Sequence, residues 1–249
     1  MFTLVGYQSS FSSTALAPIV PIPDGTVAVI TNDIRIPPEL TNIMCVAAQI
    51  NSALGTPRIQ ITTPSLRSLL PFDVSPIDNG LTWMSEFQIV PAFASPLPLV
   101  GLEPMEALAT NGAAVLNTAL VWLCDGPAKP TTGKIYSVRA TGTAVTAVST
   151  WMNSNALVFA NSLPTGTYQI VGFRAISANM VASRIFVPGY SWRPGVLGLV
   201  SENTITPPYF RFGYMGVFAT FQNTVPPTIE VLGVTDTAQV FYFDLIKTA

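Results

Sequence analysis

Prolines and glycines, 22 and 17 of 249 residues, cut the chain into short apolar runs. The runs are rich in Val, Ile, Phe, Tyr and Thr, the side chains that fit a pleated and half-buried surface, and turn formers bound them. This pattern predicts strands. In the first half the runs fall at 26–30, 42–48, 58–62, 81–90 and 116–123. In the second they fall at 135–140, 144–151, 156–160, 167–174, 184–188, 210–221, 228–232 and 238–246. Helical signals are sparse. Residues 103–110 are predicted as a short helix with Pro104 in its first turn. Residues 65–70 read as a second helical turn or as a strand. Asp125-Gly126-Pro127 and Pro130-Thr131-Thr132-Gly133 form a turn-rich linker, which divides the chain into 1–127 and 128–249.

The two halves resemble one another. Displaced by about 126 positions, residues 38–70 fall on 164–196 without a gap. Pro38 meets Pro164, Thr41 meets Thr167, Ile50 meets Ile176, and Arg58-Ile59 meets Arg184-Ile185. Ser65-x-Arg67 meets Ser191-x-Arg193, and after a small length change Thr118-Ala119-Leu120-Val121-Trp122 meets Thr237-Ala238-Gln239-Val240-Phe241. The period is too long for a solenoid and suits a small domain. Strands in this number bury their inner faces best as two packed sheets. The expected fold is therefore all-β: two tandem antiparallel β-sandwiches of the jelly-roll type, with at most two short helices.

Composition alters what such a fold would do. Apolar residues make up 49% of the chain and charged residues only 10%, where a typical soluble chain has about a quarter charged. No apolar run approaches the ~18–20 residues of a membrane-spanning helix, so no transmembrane segment is expected. Surface covered by neighbouring subunits is the reading that fits so little charge. Three lysines and no basic arm argue against direct nucleic-acid binding. Residues 1–7 lack a charged segment ahead of a long apolar one, so no secretion signal is expected.

Candidate chemistry is thin. There is no histidine, so Ser-His-Asp and Cys-His pairs cannot form and the usual zinc sites are excluded. No phosphate-cradling glycine motif occurs. Neither an enzymatic role nor a cofactor or metal is expected. Cys45 and Cys124 sit in apolar runs, either as buried thiols or as a disulfide if their Cα atoms lie close. Asp73 and Asp78 flank a Pro-containing loop and read as turn residues, against a calcium loop or an acid/base pair. Glu103 and Glu106 suit the first turn of the predicted helix. In 209–214, period two puts Phe210, Phe212 and Tyr214 on a core face, against a stacking platform for sugar as the other reading. Arg58, Arg184, Arg67 and Arg193 are four of eight arginines and recur in both halves, which marks them as possible interface residues.

On the matched segments 38–70 with 164–196, and 117–123 with 236–242, the chain resembles the double jelly-roll major capsid proteins of tailless icosahedral viruses, including several with an internal membrane. The resemblance implies a structural subunit located in the virion. It further implies a homotrimer forming a pseudo-hexameric capsomer, contacts with neighbouring capsomers, and minor capsid or membrane proteins as further partners. It carries over no catalytic or binding residue. The length is small for two full barrels, so a duplicated sandwich of another kind, or a single barrel with elaborate loops, stays open. A carbohydrate-binding β-sandwich module is the alternative function.

Overall fold

The N-terminal eighteen-residue run, apolar from Phe2 to Tyr7 except for Thr3 and hydroxyl-rich over residues 9–14, is the longest strand of its half apart from the one it pairs with. The computed structural model describes the chain except residues 51–56, 68–71, 75, 79–87, 92–93, 144–146, 154–156, 200, 202–207 and 234–238. At 67, 72, 77–78, 88–91 and 208 only the backbone is described. The protein is all-β, with a four-residue α-helix and a three-residue 3-10 turn among the described residues. It divides into two compact units, Phe2–Pro127 and Ala128–Ala249.

The first unit contains β1 (Phe2–Ile19), β2 (Val29–Ile30), β3 (Asp33–Arg35), β4 (Asn42–Ile50), β5 (Arg58–Thr62), α1 (Pro64–Arg67), β6 (Phe72–Val74), β7 (Ile77–Asp78), β8 (Gln88–Pro91), β9 (Leu97–Pro98) and β10 (Pro104–Cys124). β1 runs antiparallel along β10, from Phe2 opposite Cys124 to Ile19 opposite Ala107. β4 pairs with β10 over Asn117–Cys124, and β5 pairs with it over Glu106–Thr110. β9 and β8 lie antiparallel on β4, and β6 lies antiparallel on β5. Two four-strand rows result: β1–β10–β4–β9 and, further along the same long strands, β1–β10–β5–β6. The end of β4 and the end of β10 are buried on both faces, as their unbroken apolar sequences require.

The second unit contains β11 (Ile135–Gly142), β12 (Met152–Asn153), β13 (Val158–Phe159), β14 (Thr167–Ile176), β15 (Met180–Phe186), β16 (Gly195–Leu199), the 3-10 turn Pro208–Phe210, β17 (Ala219–Gln222), β18 (Thr228–Gly233) and β19 (Gln239–Lys247). Its rows are β11–β19–β14–β17 and β12–β18–β15–β16. Phe173, Phe241 and Phe243 fill its core, with ring centroids 5.0 and 5.9 Å apart.

The pairing repeats where the sequence repeats. β4 and β14 occupy the aligned segment, and each carries a ladder irregularity near its start: opposite Trp122/Leu123 in one, between Ile170 and Gly172 in the other. Each also ends in a two-residue parallel pairing at equivalent positions. Gln49 and Ile50 face β7, and Ala175 and Ile176 face β16. β16 does with one strand what β6 and β7 do with two, pairing antiparallel to β15 and then parallel to β14. β10 plays the part of β18 and β19 together. One detail of the sequence alignment changes: Ala47 faces Leu120 and its counterpart Phe173 faces Phe243, so the partner of Leu120 in the repeat is Phe243 and not Gln239.

Several expectations need correction. Residues 103–110 are not a helix. They open β10 with alternate burial of Met105, Ala107 and Ala109, because pairing on both edges outweighs the helix preference of Met, Glu, Ala and Leu. Residues 210–221 are not one strand. A 3-10 turn and a tight loop precede the short β17, with Phe212 at φ 52° and Gly213 at 79°. Within 144–151 the described residues form a turn closed by an Ala147–Thr150 bridge. β1 precedes the first expected strand at 26–30, of which only Val29–Ile30 is one. The segment 65–70 holds the single turn α1, with 68–70 outside the described residues. Of 81–90, only Gln88 onward is described, as β8.

Candidate functional site

Four arginines marked by the repeat lie on or beside equivalent strands, yet they meet different surroundings. Arg58 opens β5 and stands in solvent. Its Nε and Nη2 each donate to an Asp73 carboxylate oxygen at 2.9 Å, and Gln60 Nε2 donates to the same carboxylate at 3.1 Å. The guanidinium of Arg58 holds the Asp73 carboxyl below its ordinary range, and burial opposes this only in part. Both side chains are about half exposed, 47% and 49%, so such a pair contributes under about 1 kcal/mol. Asp73 therefore already faces a cation, while the Asp78 side chain lies outside the described residues.

Arg184 lies in β15 directly opposite Glu230 of β18. It is wholly buried, donates through Nη2 to Glu230 Oε2, and stacks with its guanidinium carbon 3.9 Å from the centroid of Trp151. Arg193 Nε approaches the other Glu230 oxygen at 3.5 Å, and its guanidinium lies 4.2 Å from the Phe186 ring. Its Nη1 donates to the Tyr190 carbonyl at 2.8 Å. One carboxylate thus sits between two guanidinium groups packed on aromatic faces. The repeated Arg-Ile step meets a neighbouring carboxylate in both units, exposed in the first and enclosed in the second. Arg184 has no surface left to offer another molecule. The Arg67 side chain lies outside the described residues.

A further arginine site was not marked by the repeat. Arg211 donates to both oxygens of Asp244, at 2.6 and 2.8 Å, and to Ser137 Oγ at 3.2 Å. Asp244 is buried and also accepts from the Phe212 backbone N–H at 3.0 Å. A side chain at Gly213 would collide with the Thr131 carbonyl, and its N–H donates to Val171 at 2.6 Å. The lone aspartate inside an apolar strand run, Phe241-Tyr242-Phe243-Asp244-Leu245, was the signal for it. This clasp fixes the loop across the outer side of β14 and β19. Phe210 is buried as expected, but Phe212 and Tyr214 are 60% and 53% exposed. Beside the loop, Arg139, Tyr242 and Arg174 stand in register across β11, β19 and β14, with the Arg174 guanidinium 5.7 Å from the Tyr242 ring.

The remaining candidates are inert. Cys45 and Cys124 are free and buried, and burial pushes both thiols up. Glu103 accepts from the Ser65 hydroxyl at 2.7 Å and from its N–H at 3.1 Å, bonds that hold its carboxyl below the ordinary range. Among the described residues no group of three or more His, Cys, Asp and Glu converges as a metal site would. An open pocket of about 400 Å³ in the second unit is lined by Tyr136, Val138, Leu163, Tyr168, Leu245 and Lys247. No helix among the described residues is long and apolar enough to cross a membrane.

No family model, curated protein or solved structure matches the chain.

Proposed function

We propose that the chain is a structural shell subunit, the major capsid protein of an icosahedral virion, built from two jelly rolls. The observation that carries this reading is the strand order, found twice. In the second unit, leaving aside the two-residue β13 on the edge of β11, the strands sort into two four-strand rows, β11, β14, β17 and β19 in one and β12, β15, β16 and β18 in the other. This sorting supports the reading as an eight-strand jelly roll with two Greek keys. The first unit follows it with β1 and β10 each running through both rows.

The scarcity of charge and the exposed Leu102, Val158, Phe212 and Tyr214 support a surface that neighbouring copies cover. Three copies of a two-barrel chain give a six-lobed, pseudo-hexameric capsomer, and closed symmetry limits its growth. Of the arginines marked by the repeat, Arg58 is the one whose described side chain is open to such a contact. Purified protein should run as a trimer or larger at micromolar concentration and show hexagonal capsomers or closed shells by electron microscopy. A stable monomer at that concentration sinks the proposal.

The exposure of Phe212 and Tyr214 favours a second reading, a carbohydrate-binding module using those rings as a platform. Glycan-array binding lost in Phe212→Ala would support it, and silence on the array disposes of it.

A further inference from the structure

The two units share a pairing scheme but carry opposite charge. Residues 1–127 hold three arginines and no lysine against nine carboxylates, a formal charge of −6. Residues 128–249 hold five arginines and three lysines against four carboxylates, a formal charge of +4. A chain with only 10% charged residues has nonetheless sorted them by unit, and sorted charge specifies partner and register more than it adds affinity.

Each unit also offers apolar surface beside its own sign of charge. In the second, the exposed Phe212 lies with its ring 4.6 Å from the Arg211 guanidinium, whose bond to Ser137 ties this loop, with the exposed Tyr214, to the strand β11 that carries Arg139 of the Arg139–Tyr242–Arg174 row. Ser137 and Arg139 point to the same side of β11, two residues apart. In the first, the exposed Leu102 and Val100 flank Gly101, where an added Cβ would lie 3.2 Å from the Pro38 Cα, and Glu39 follows Pro38 at the surface. Arg35 also reaches this edge, with Nη1 3.5 Å from the Leu102 carbonyl, so the acidic character there comes from Glu39 and Glu103 outnumbering one cation. The Leu102 N–H donates to Ile36 and the Leu99 N–H donates to Thr41, so these two loops are held as one edge.

We propose that the arginine-aromatic face around Arg139, Phe212 and Tyr214 docks on the acidic apolar edge around Glu39, Val100 and Leu102 of a second copy. This rests on the assembly reading and refines it: the contact is head to tail, second unit onto first, rather than like onto like. A head-to-tail contact whose rotation closes after three copies gives a ring, as a capsomer requires. Arginine and aromatic side chains are enriched at interfaces, and a carboxylate on the facing edge supplies the opposite charge that fixes register.

The test is a charge swap in the full chain, read by sedimentation at micromolar concentration. Arg139→Glu and Glu39→Lys should each weaken association by about tenfold, and the double variant should recover most of that loss, because each contact again pairs opposite signs. Wild-type association should also weaken as salt rises from about 0.05 to 0.5 M. Melting curves check that the single variants remain folded, and Glu39→Lys keeps the test open should Arg139→Glu not be. Wild type that associates while both single variants match it, or a double variant no better than either, overturns the docking and leaves the shell reading standing. Wild type that stays monomeric at all salt concentrations overturns both. A monomer retained on heparin would assign the arginine face to a polyanion and equally overturn the docking.

Discussion

Glu230 lies between the Arg184 and Arg193 guanidinium groups, so its removal leaves two enclosed cations without that carboxylate. Glu230→Ala is expected to cost about 3–5 kcal/mol in urea denaturation. Asp73→Asn, at an ion pair of the same type in solvent, should cost less than about 1 kcal/mol. The sign of its pH dependence follows from the lowered Asp73 carboxyl. Whatever the pair contributes is present above the ordinary carboxyl pKa and is lost as pH falls through the lower folded value, so wild type and Asp73→Asn should converge in acid. Tyr7 gives the opposite window. Burial first, then Asp33 and Glu106, push its phenol well above the ordinary range, and its hydroxyl donates to the Met105 carbonyl at 2.7 Å. The associated stability is intact below about pH 10 and declines as pH rises further, because the unfolded phenol ionises first. Tyr7→Phe should flatten that alkaline decline in melting experiments, even though the variant is less stable at neutral pH. At this scale the repeat located Arg58 and Arg184 but not their surroundings: sequence alignment equates the two, whereas exposure depends on which strand covers each. The Arg211–Asp244 clasp had no counterpart in the repeat and left only an isolated aspartate as its trace.

Among the elements, central strands were legible because β-branched and aromatic side chains crowd them. β4, β5, β14 and β18 lie close to where β-branched runs placed them. β1 and the start of β10 were missed for a common reason. Clustered serine and threonine in β1, and small alanines in β10, make a weak apolar pattern, and the evidence for each strand is the other strand, about a hundred residues away. The aromatic run at 210–221 misled in the other direction: Gly213 and Gly216 at positive φ turn the chain twice before β17 begins. Gly198 marks the step at which β16 leaves β15 and joins β14, and a side chain there would strike the Met180 carbonyl. Gly198→Val should destabilise the protein by about 1–3 kcal/mol or prevent folding, measured by thermal denaturation against wild type.

For the whole molecule, the likeness of the two halves was legible from scattered identities. Its firmer support is the repeated pairing: matching irregularities, matching parallel ends and matching four-strand rows. Charge sorting between the units predicts an assembly sensitive to ionic strength, whereas an interface of apolar contacts alone would tighten as salt rises. The β1–β10 ladder bears on how the chain comes into being. Phe2 cannot form its ladder pairing until Cys124 has been synthesised, so over more than a hundred residues of synthesis the β10-facing edge of the long strand waits bare, while its other edge finds only the local partners Val20 and Ile22. Such a strand invites pairing with its twin on the next ribosome. Its second half, with Ser9, Ser10, Ser12, Ser13 and Thr14, is hydroxyl-rich where the first half is greasy, and so keeps the waiting segment hydrated until its partner emerges.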